Sequence, residues 1–185
     1  MVITGSTPRK RPVVIVDYDP QWPVLFAELR AVLWAALGDV ALAIEHVGST
    51  SVPGLAAKPI IDLDVVIEFT ARLPDAIRCL AGLGYSHEGD KGIPGREAFA
   101  RAGPDVPRNG TGRTWPHQHL YACAQDSTEL ARQLAFRDYL RAHPDAALAY
   151  ERLKRQLAEK FRDDRDAYCD GKSTFVEEVL RRARE

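Results

Sequence analysis

The stretch HVGSTSVPGLAAKPIIDLDVVI, residues 46–67, decides how this chain is interpreted. It contains a Gly48-Ser49 pair and, further on, two aspartates, Asp62 and Asp64, separated by one residue. Side chains two positions apart on an extended strand point to the same face of the sheet, so the two carboxylates share one face. A small-residue loop admits phosphates close to the backbone, and paired carboxylates can bind a divalent cation. The stretch therefore predicts a site for a metal-bound nucleoside triphosphate.

Each half of this stretch has a plainer interpretation. Two neighbouring carboxylates repel each other and are costly to bury unless a cation lies between them, but an exposed sheet edge would also tolerate them. The run from Ser49 through Thr50 to Ser51 offers hydroxyl and N–H groups to a phosphate, although such runs are common in ordinary turns. Lys58 precedes the aspartates and could contact a phosphate or simply face solvent. The two halves together favour the metal–phosphate interpretation.

Composition limits the classes of protein to which the chain can belong. Its 185 residues favour one domain, predicted over residues 13–185 after a disordered lead-in at residues 1–12. With 25 basic and 26 acidic residues the net charge is −1, so we expect neither a nucleic-acid nor a membrane partner. Three scattered cysteines argue against a disulfide scaffold and favour a reducing cytoplasm. No segment has the pattern of a signal peptide or a membrane span.

Hydrophobic periodicity predicts an α+β fold, with a strand-rich first part and a helical second part. A first helix is expected to open at Asp19-Pro20 and end at Gly38. The helices are expected to pack on one side of a small sheet, and Leu148, Leu153, Leu157 and Phe161 to point inward. Strands are predicted at residues 40–47, 60–69, 85–88, 97–101 and 118–124. The remaining helices are predicted at residues 74–83, 127–143, from 144 to about 161, and 172–182.

The quoted stretch resembles the nucleotidyltransferase signature, in which Gly-Gly or Gly-Ser is followed by a spacer and then Asp-apolar-Asp-apolar. It resembles the GrpB family within that superfamily more closely. YDPQWPVLFAELR, LAFRDYLRAHPDAALAYERLKRQLA and YCDGKSTFVEEVL extend the resemblance from about Val13 to the end of the chain. A related domain is fused to dephospho-CoA kinase in some bacteria. The chain contains no Walker-type phosphate loop, so it is not expected to be that kinase itself.

The resemblance implies a small mixed sheet flanked by helices, with a C-terminal helical part. It implies that the Gly-Ser loop cradles the triphosphate while Asp62 and Asp64 bind Mg²⁺, for which Mn²⁺ can substitute. The implied reaction transfers a nucleotidyl group from an NTP to a small-molecule acceptor and releases pyrophosphate. Members of the superfamily normally use a third carboxylate from a later strand. Here the corresponding strand, at residues 118–122, contains no acid.

Two residues are candidates for that third position. His119 lies on the strand itself and can bind a metal or accept a proton, whereas Glu97 on the preceding strand would supply a carboxylate. His117 and His119 also form a His-x-His pair, but no third zinc ligand is evident. A histidine hydrogen-bonded at the wall of a pocket is therefore the preferred interpretation.

Several basic residues are candidates for contacts with an anionic substrate: Arg96, Arg101, Arg137, Lys154 and Lys172. The plainer alternatives are a structural Arg137–Asp138 pair and solvated lysines. His46 is expected to anchor the Gly48 loop through a hydrogen bond. If the missing acid means that no reaction occurs, the alternatives are a nucleotide- or metal-binding or scaffolding domain. A metal-dependent phosphohydrolase is a further alternative, and a homodimer is left open as the active form.

Overall fold

The structure, a computed structural model, describes residues 12–185. The disordered lead-in predicted at residues 1–12 lies outside the described residues except for Pro12. The strands are β1 (Ala41–Val47), β2 (Ile61–Ile67), β3 (Tyr85–His87), β4 (Glu97–Arg101) and β5 (Gln118–Ala124). The helices are α1 (Trp22–Leu37), α2 (Leu73–Gly82), α3 (Thr128–Ala142), α4 (Pro144–Lys160), α5 (Arg165–Asp170) and α6 (Ser173–Arg182). The α+β prediction is confirmed.

The five strands form one mixed sheet in the order β1-β2-β5-β4-β3. Only β2 and β5 run parallel to each other, and every other neighbouring pair is antiparallel. The register places Asp62 between Val47 of β1 and His119 of β5. Asp64 lies one step further along, between residues 45 and 121. The central strands thus bring the predicted aspartates next to the predicted histidine.

Both faces of the sheet are covered by helices, so the prediction that the helices lie on one side was wrong. Ile61, Leu63 and Val65 face the main core, which α1 and α2 complete with residues such as Leu33 and Leu80. On the opposite face, α3 packs over the end of β2 through a smaller cluster: Val66, Cys123, Leu130 and Leu134. Apolar positions outside the aspartate pair allow α3 to pack there, and the polar part of that face remains open.

The helix boundaries differ from prediction at two places. Helix α1 begins at Trp22 rather than at Asp19-Pro20, because Asp19 accepts a hydrogen bond from the N–H of Gln21 (2.8 Å) in a turn that precedes the helix. Helix α5 was not predicted. Asp164 caps it by accepting from the N–H of Ala167 (3.1 Å), and it is too short to show hydrophobic periodicity.

The C-terminal helices lie on the side of the sheet that carries the aspartates. Tyr150 of α4 and Leu140 of α3 form a cluster with Val52 and Leu55 of the segment after β1. Leu148, predicted to point inward, is exposed. Over the part of the chain that the structure describes, no helix combines the length and apolarity needed to cross a bilayer.

Candidate functional site

Gly48 ends β1 in a conformation that no other residue adopts comfortably. Its φ of +69° lies in the left-handed region, and a Cβ at this position would lie 2.3 Å from Oδ2 of Asp62. A methyl group would therefore collide with the carboxylate as well as strain the backbone. The absence of a side chain lets the turn and Asp62 lie directly against each other.

The turn after Gly48 is anchored from beneath by His46. The ring stacks on Phe26 (4.5 Å between centroids), and its Nε2 lies 3.0 Å from Oγ1 of Thr50. Because Thr50 donates its hydroxyl proton to the carbonyl of Ile60 (3.1 Å), His46 is the donor to Thr50. Burial lowers the pKa of His46 to about 4, so the imidazole is neutral at pH 7. The predicted anchoring role of His46 is confirmed.

The three hydroxyls of the turn have different roles. Those of Thr50 and Ser51 are buried and used internally, since Ser51 donates to the carbonyl of Gly48 (2.6 Å). Ser51 does not line the cavity described below, whereas Gly48, Ser49 and Thr50 do. The N–H of Ser51 closes the turn on the carbonyl of Gly48 (3.2 Å), which leaves the N–H groups of Ser49 and Thr50 outside the turn's own hydrogen bonds. The backbone and Ser49 are therefore the parts of this loop best placed for a ligand.

Asp62 and His119 form a pair at the floor of the site. The Nδ1 of His119 donates to Oδ1 of Asp62 over 2.8 Å, and both side chains are partly exposed. The bond orients the imidazole and leaves Nε2 as the nitrogen that can accept a proton. The interpretation of His119 as a histidine hydrogen-bonded at a pocket wall is confirmed. His117 is exposed and lies just before the first residue of β5.

Asp64 is buried without a hydrogen-bond partner. The residue is 1 % exposed, and within the described residues neither carboxylate oxygen has a donor. Burial raises its pKa to about 7. The nearby Arg96 opposes this shift, whereas Asp62, Glu129 and Glu45 add to it. An unpartnered buried carboxylate destabilises the folded state, so its presence beside Asp62 indicates that a cation or proton belongs there.

A cavity of about 600 Å³ opens above Asp62 and His119. One wall, from the loop after β3 and the start of α3, includes Ile93, Arg96 and Glu129. The opposite wall comes from the segment before β2 and from the C-terminal helices. Four basic residues line it: Lys58, Lys154, Arg165 and Lys172. The volume is within the range of pockets that hold small molecules.

The basic wall surrounds the ring of Tyr168. The ammonium groups of Lys58 and Lys172 lie 5.4 Å and 4.6 Å from the centre of that ring. Burial lowers the pKa of both lysines, and repulsion from Arg165 lowers both further. Repulsion from Lys58 also lowers the pKa of Lys172. Among the described residues, no carboxylate forms an ion pair with any of the four cations of this wall. An anion bound here would relieve that repulsion.

Lys154 is the most enclosed of the four cations. It is 2 % exposed, donates to the carbonyl of Ala56 and lies 4.8 Å from the ring centre of Tyr150. Burial, followed by repulsion from Lys172, lowers its pKa to about 7. The charge of Lys154 is therefore sensitive to whatever occupies the cavity.

Five predicted site residues do not line the cavity: Ser51, Asp64, Glu97, Arg101 and Arg137. Asp64 is buried beside Asp62 on the same face of β2, whereas Glu97, Arg101 and Arg137 are held by contacts elsewhere. Glu97 faces the side of the sheet that packs on α1 and α2, where its Oε2 accepts from Nε2 of His87 (2.6 Å). Arg101 shares that side and donates to backbone carbonyls of the loop that precedes β5. Arg137 binds Glu45 and Asp138 (2.6 and 2.8 Å), which is the structural role the sequence left open. The predicted residues that do line the cavity are Gly48, Ser49, Thr50, Lys58, Asp62, Arg96, His119, Lys154 and Lys172.

Sequence reasoning missed the contribution of α3 to the cavity. Glu129, Arg132, Gln133 and Phe136 all line it, and their i, i+3, i+4, i+7 spacing places them on one helix face. That spacing was visible in the sequence, but only the fold shows that this face is turned toward Asp62. Tyr150 and Tyr168 are buried and also line the cavity.

The donors at the floor of the cavity suit a hard divalent cation. Mg²⁺ prefers oxygen ligands and commonly takes one or two carboxylates, with water and substrate phosphates completing the shell. Asp62 and the unpartnered Asp64 supply such oxygens on one face of β2. Within residues 12–185, no three His, Cys, Asp or Glu side chains are arranged together as a ready metal site. The residues therefore fit a cation whose coordination is completed by a ligand or by a side-chain movement.

Comparison with known proteins gives a coherent set of relatives. The family described as "GrpB protein" matches residues 12–182. The UPF0157 protein YqkA of Bacillus subtilis is 36% identical over 167 residues, which is 90% of this chain and 46% of that protein. The chain thus spans about half the length of that relative. The crystal structure of conserved protein GrpB from Enterococcus faecalis is similar with a TM-score of 0.77 and 36% identity, covering 92% of this chain and 96% of that one.

The predicted link to dephospho-CoA kinases is also found. A protein of Mycolicibacterium paratuberculosis with that description is 30% identical over 201 residues. The match covers 94% of this chain and 46% of the kinase protein. The similarity therefore concerns part of that longer protein.

Proposed function

The chain belongs to the GrpB family, and from this premise and the cavity geometry we propose that it is a Mg²⁺-dependent nucleotidyltransferase. Its substrates would be a nucleoside triphosphate and a small molecule that carries a hydroxyl or similar acceptor group. The observation that carries the proposal is the cavity itself. Asp62 lies at its floor with the buried, unpartnered Asp64 beside it on the same face of β2, and the opposite wall is basic, with no cation ion-paired within the described residues.

The two sides of the cavity match the two charges of a metal nucleotide. Asp62 and Asp64 would hold the cation, and Lys58, Lys172 and Arg165 would hold the phosphates that it accompanies. The N–H groups of Ser49 and Thr50, at the turn beside Asp62, would add donors to phosphate oxygens. Bound Mg²⁺ would neutralise phosphate charge and favour attack on phosphorus.

The protein's own contribution to chemistry would centre on His119. Its Nδ1–H is fixed on Asp62, so Nε2 faces the reaction as a proton acceptor. An acceptor oxygen would form a bond to the α-phosphorus while the bond to pyrophosphate breaks, and the acceptor proton would pass to Nε2. The small cavity and the balanced net charge support a small-molecule acceptor over a nucleic acid.

A binding domain without chemistry is the second candidate, and one observation favours it. The strand position expected to carry a third acid holds His119, and Glu97 faces the other side of the sheet. Release of pyrophosphate distinguishes the two functions. A transferase releases it from an NTP in the presence of a panel of hydroxyl and amine acceptors, whereas a binding domain retains the intact NTP.

Thermal unfolding tests the proposal before the acceptor is known. Ligand at about 100 times its Kd stabilises a protein by about 2.7 kcal/mol, which corresponds to a rise in Tm of roughly 5–10 °C for a chain of this size. We expect such a rise with Mg²⁺ and at least one NTP. The double variant Asp62→Asn/Asp64→Asn should lose it, and Glu97→Gln should keep it. No rise with any NTP and either Mg²⁺ or Mn²⁺ would contradict the proposal.

A further inference from the structure

We infer that Glu129 supplies the third carboxylate of the cation site formed by Asp62 and Asp64. In the absence of the ion, Arg96 takes the cation's place between Glu129 and Asp64. The inference rests on the proposed function for the presence of a divalent cation. It differs from the sequence prediction, because the acid comes from a helix rather than from a strand of the sheet.

Glu129 is held at the cavity by the start of α3. Ser127 caps the helix by accepting from the N–H of Leu130 (3.4 Å), and its hydroxyl donates to the carbonyl of Gly95 (3.0 Å). Glu129 therefore lies in the first turn, on a helix that is tied to the loop before β4. Its side chain is 16% exposed and lines the same cavity as Asp62 and His119.

Arg96 connects Glu129 to the buried aspartate. The guanidinium lies 4.1 Å from the ring centre of Tyr121, and Tyr121 is the neighbour of Asp64 across β2 and β5. Nη1 of Arg96 lies 3.7 Å from Oε1 of Glu129. Arg96 thus lies beside Glu129 and against the residue that neighbours Asp64 in the sheet.

The contacts of Arg96 are not those of an optimised ion pair, which fits a side chain that stands in for the divalent cation. The 3.7 Å separation from Glu129 exceeds hydrogen-bond distance. Within the described residues, the Nε of Arg96 and both oxygens of Asp64 are buried without partners. A well-formed buried pair would satisfy these atoms, since its stability depends on doing so. A small cation bound by oxygens from Asp62, Asp64 and Glu129 would satisfy the carboxylates and release Arg96.

Glu45 is the alternative source of a third acid, and its contacts argue against it. It pairs with Asp64 across β1 and β2 and, like Asp64, does not line the cavity. Its Oε2 accepts a hydrogen bond from Nη1 of Arg137 (2.6 Å), which also binds the carbonyl of His46 (3.1 Å). The carboxylate of Glu45 is therefore committed to fixing α3 against the sheet.

Direct titration with Mn²⁺ alone tests the inference without any substrate. Wild-type protein and four variants would be compared by calorimetry, with electron paramagnetic resonance to count bound ions. We expect Glu129→Gln to weaken Mn²⁺ binding roughly tenfold or more, since even outer contacts of metal ligands contribute 10–100-fold. Arg96→Gln should change affinity in the opposite direction, because it removes a competing positive charge. Glu97→Gln, an acid on the other face of the sheet, should bind as the wild type does.

The pattern of results separates this inference from the proposed function. If Asp62→Asn/Asp64→Asn loses Mn²⁺ while Glu129→Gln binds it with unchanged affinity, the cation site stands and the role of Glu129 is wrong. If Arg96→Gln weakens binding, the substitute role of Arg96 is wrong. Wild-type protein that binds no Mn²⁺ would overturn both the inference and the proposed metal dependence. Gln133 donates to Oε1 of Glu129 (2.9 Å), and a glutamine at 129 can still accept that bond, which helps the variant to fold.

Discussion

The two faces of strand β2 have opposite chemical character. Ile61, Leu63 and Val65 point into the main core, where each is almost fully enclosed by apolar side chains. Asp62 and Asp64 point the other way, where Asp62 lines a cavity with charged walls and Asp64 is buried beside it. Alternating side chains of one short segment thus give β2 an apolar face in the core and an acidic face at the cavity.

The comparison shows how a buried charge can be kept in a stable fold. Burial of the apolar face stabilises the strand by about 25 cal/mol for each Å² removed from water, and that stabilisation tolerates an unsatisfied carboxylate on the reverse face. Functional sites commonly retain such unfavourable groups while the surrounding structure holds them in place. If this view is correct, changes to the two faces should have opposite effects on the stability of the ion-free protein.

The largest expected effect concerns Asp64 and pH. Its pKa is raised from 3.8 to about 7 in the fold, so the folded state holds a proton that the unfolded state loses near pH 4. The contribution of Asp64 to the free energy of unfolding should therefore fall as pH rises from about 4 to 7. Asp64→Asn removes this loss and should gain up to about 4 kcal/mol relative to wild type across that window. Urea unfolding of wild type and Asp64→Asn in EDTA, at pH 4.5 and pH 8, measures this difference in the free energy of unfolding.

The difference between the two proteins isolates Asp64 from other titrating groups. His46, whose pKa is lowered to about 4, contributes the opposite trend, because stability falls as pH drops below its unfolded value of 6.5. This trend is present in both proteins and cancels in the comparison. The charged neighbours Asp62, Glu45, Glu129 and Arg96 are also common to both. A stability difference that does not change with pH would show that Asp64 is not a strained carboxylate.

The apolar face is tested by Leu63→Ala. Leu63 is 0% exposed and packs in the main core, so truncation removes buried area and leaves a cavity. We expect a loss of about 3 kcal/mol in the free energy of unfolding, within the usual range of 2–5 for such changes. Urea denaturation measures the loss. Leu148→Ala, at an exposed position of α4, is the matched control and should change stability by less than about 0.5 kcal/mol.

The contact between the turn and the polar face is tested by Gly48→Ala. The new methyl would meet Oδ2 of Asp62 at 2.3 Å in a backbone with φ of +69°, and we expect a loss of about 2 kcal/mol. Gly54→Ala separates the collision with Asp62 from the strain of a positive φ. That glycine has φ of +79° but nothing within 4 Å of its Cβ position, so its substitution costs only the backbone term of about 1 kcal/mol. Equal losses in both variants would mean that the collision with Asp62 is relieved cheaply.

Local pattern was enough to predict most of the sheet and the acidic face. The alternation of Ile61, Asp62, Leu63 and Asp64 specifies which side chains share a face, and the structure keeps that division. Strands β4 and β5 were predicted at their observed bounds. Each contains an aromatic residue, Phe99 or Tyr121, and glycine or proline lies within two residues of at least one end. Gly48 was predicted to let the backbone turn sharply at the end of β1, and its φ of +69° is such a turn, whereas its approach to a ligand stays a prediction.

What depends on tertiary placement was not predictable in this way. The face on which Glu97 lies is set by the register of β4 against β5, which periodicity within β4 does not reveal. Glu129 is 65 residues further along the chain than Asp64 and comes to the cavity only because α3 crosses that face of the sheet. Helix α5 is six residues long, and its buried Tyr168 becomes part of the basic wall through packing rather than pattern.

A crystal structure of the protein with Mg²⁺ and a non-hydrolysable NTP tests the central claim most directly. The account predicts a cation bound by Asp62 and Asp64, phosphates between the Gly48–Ser49 turn and the wall of Lys58 and Lys172, and Arg96 moved away from Asp64. A nucleotide bound elsewhere, or a cavity in which Asp64 remains without a cation while the nucleotide is present, would contradict it.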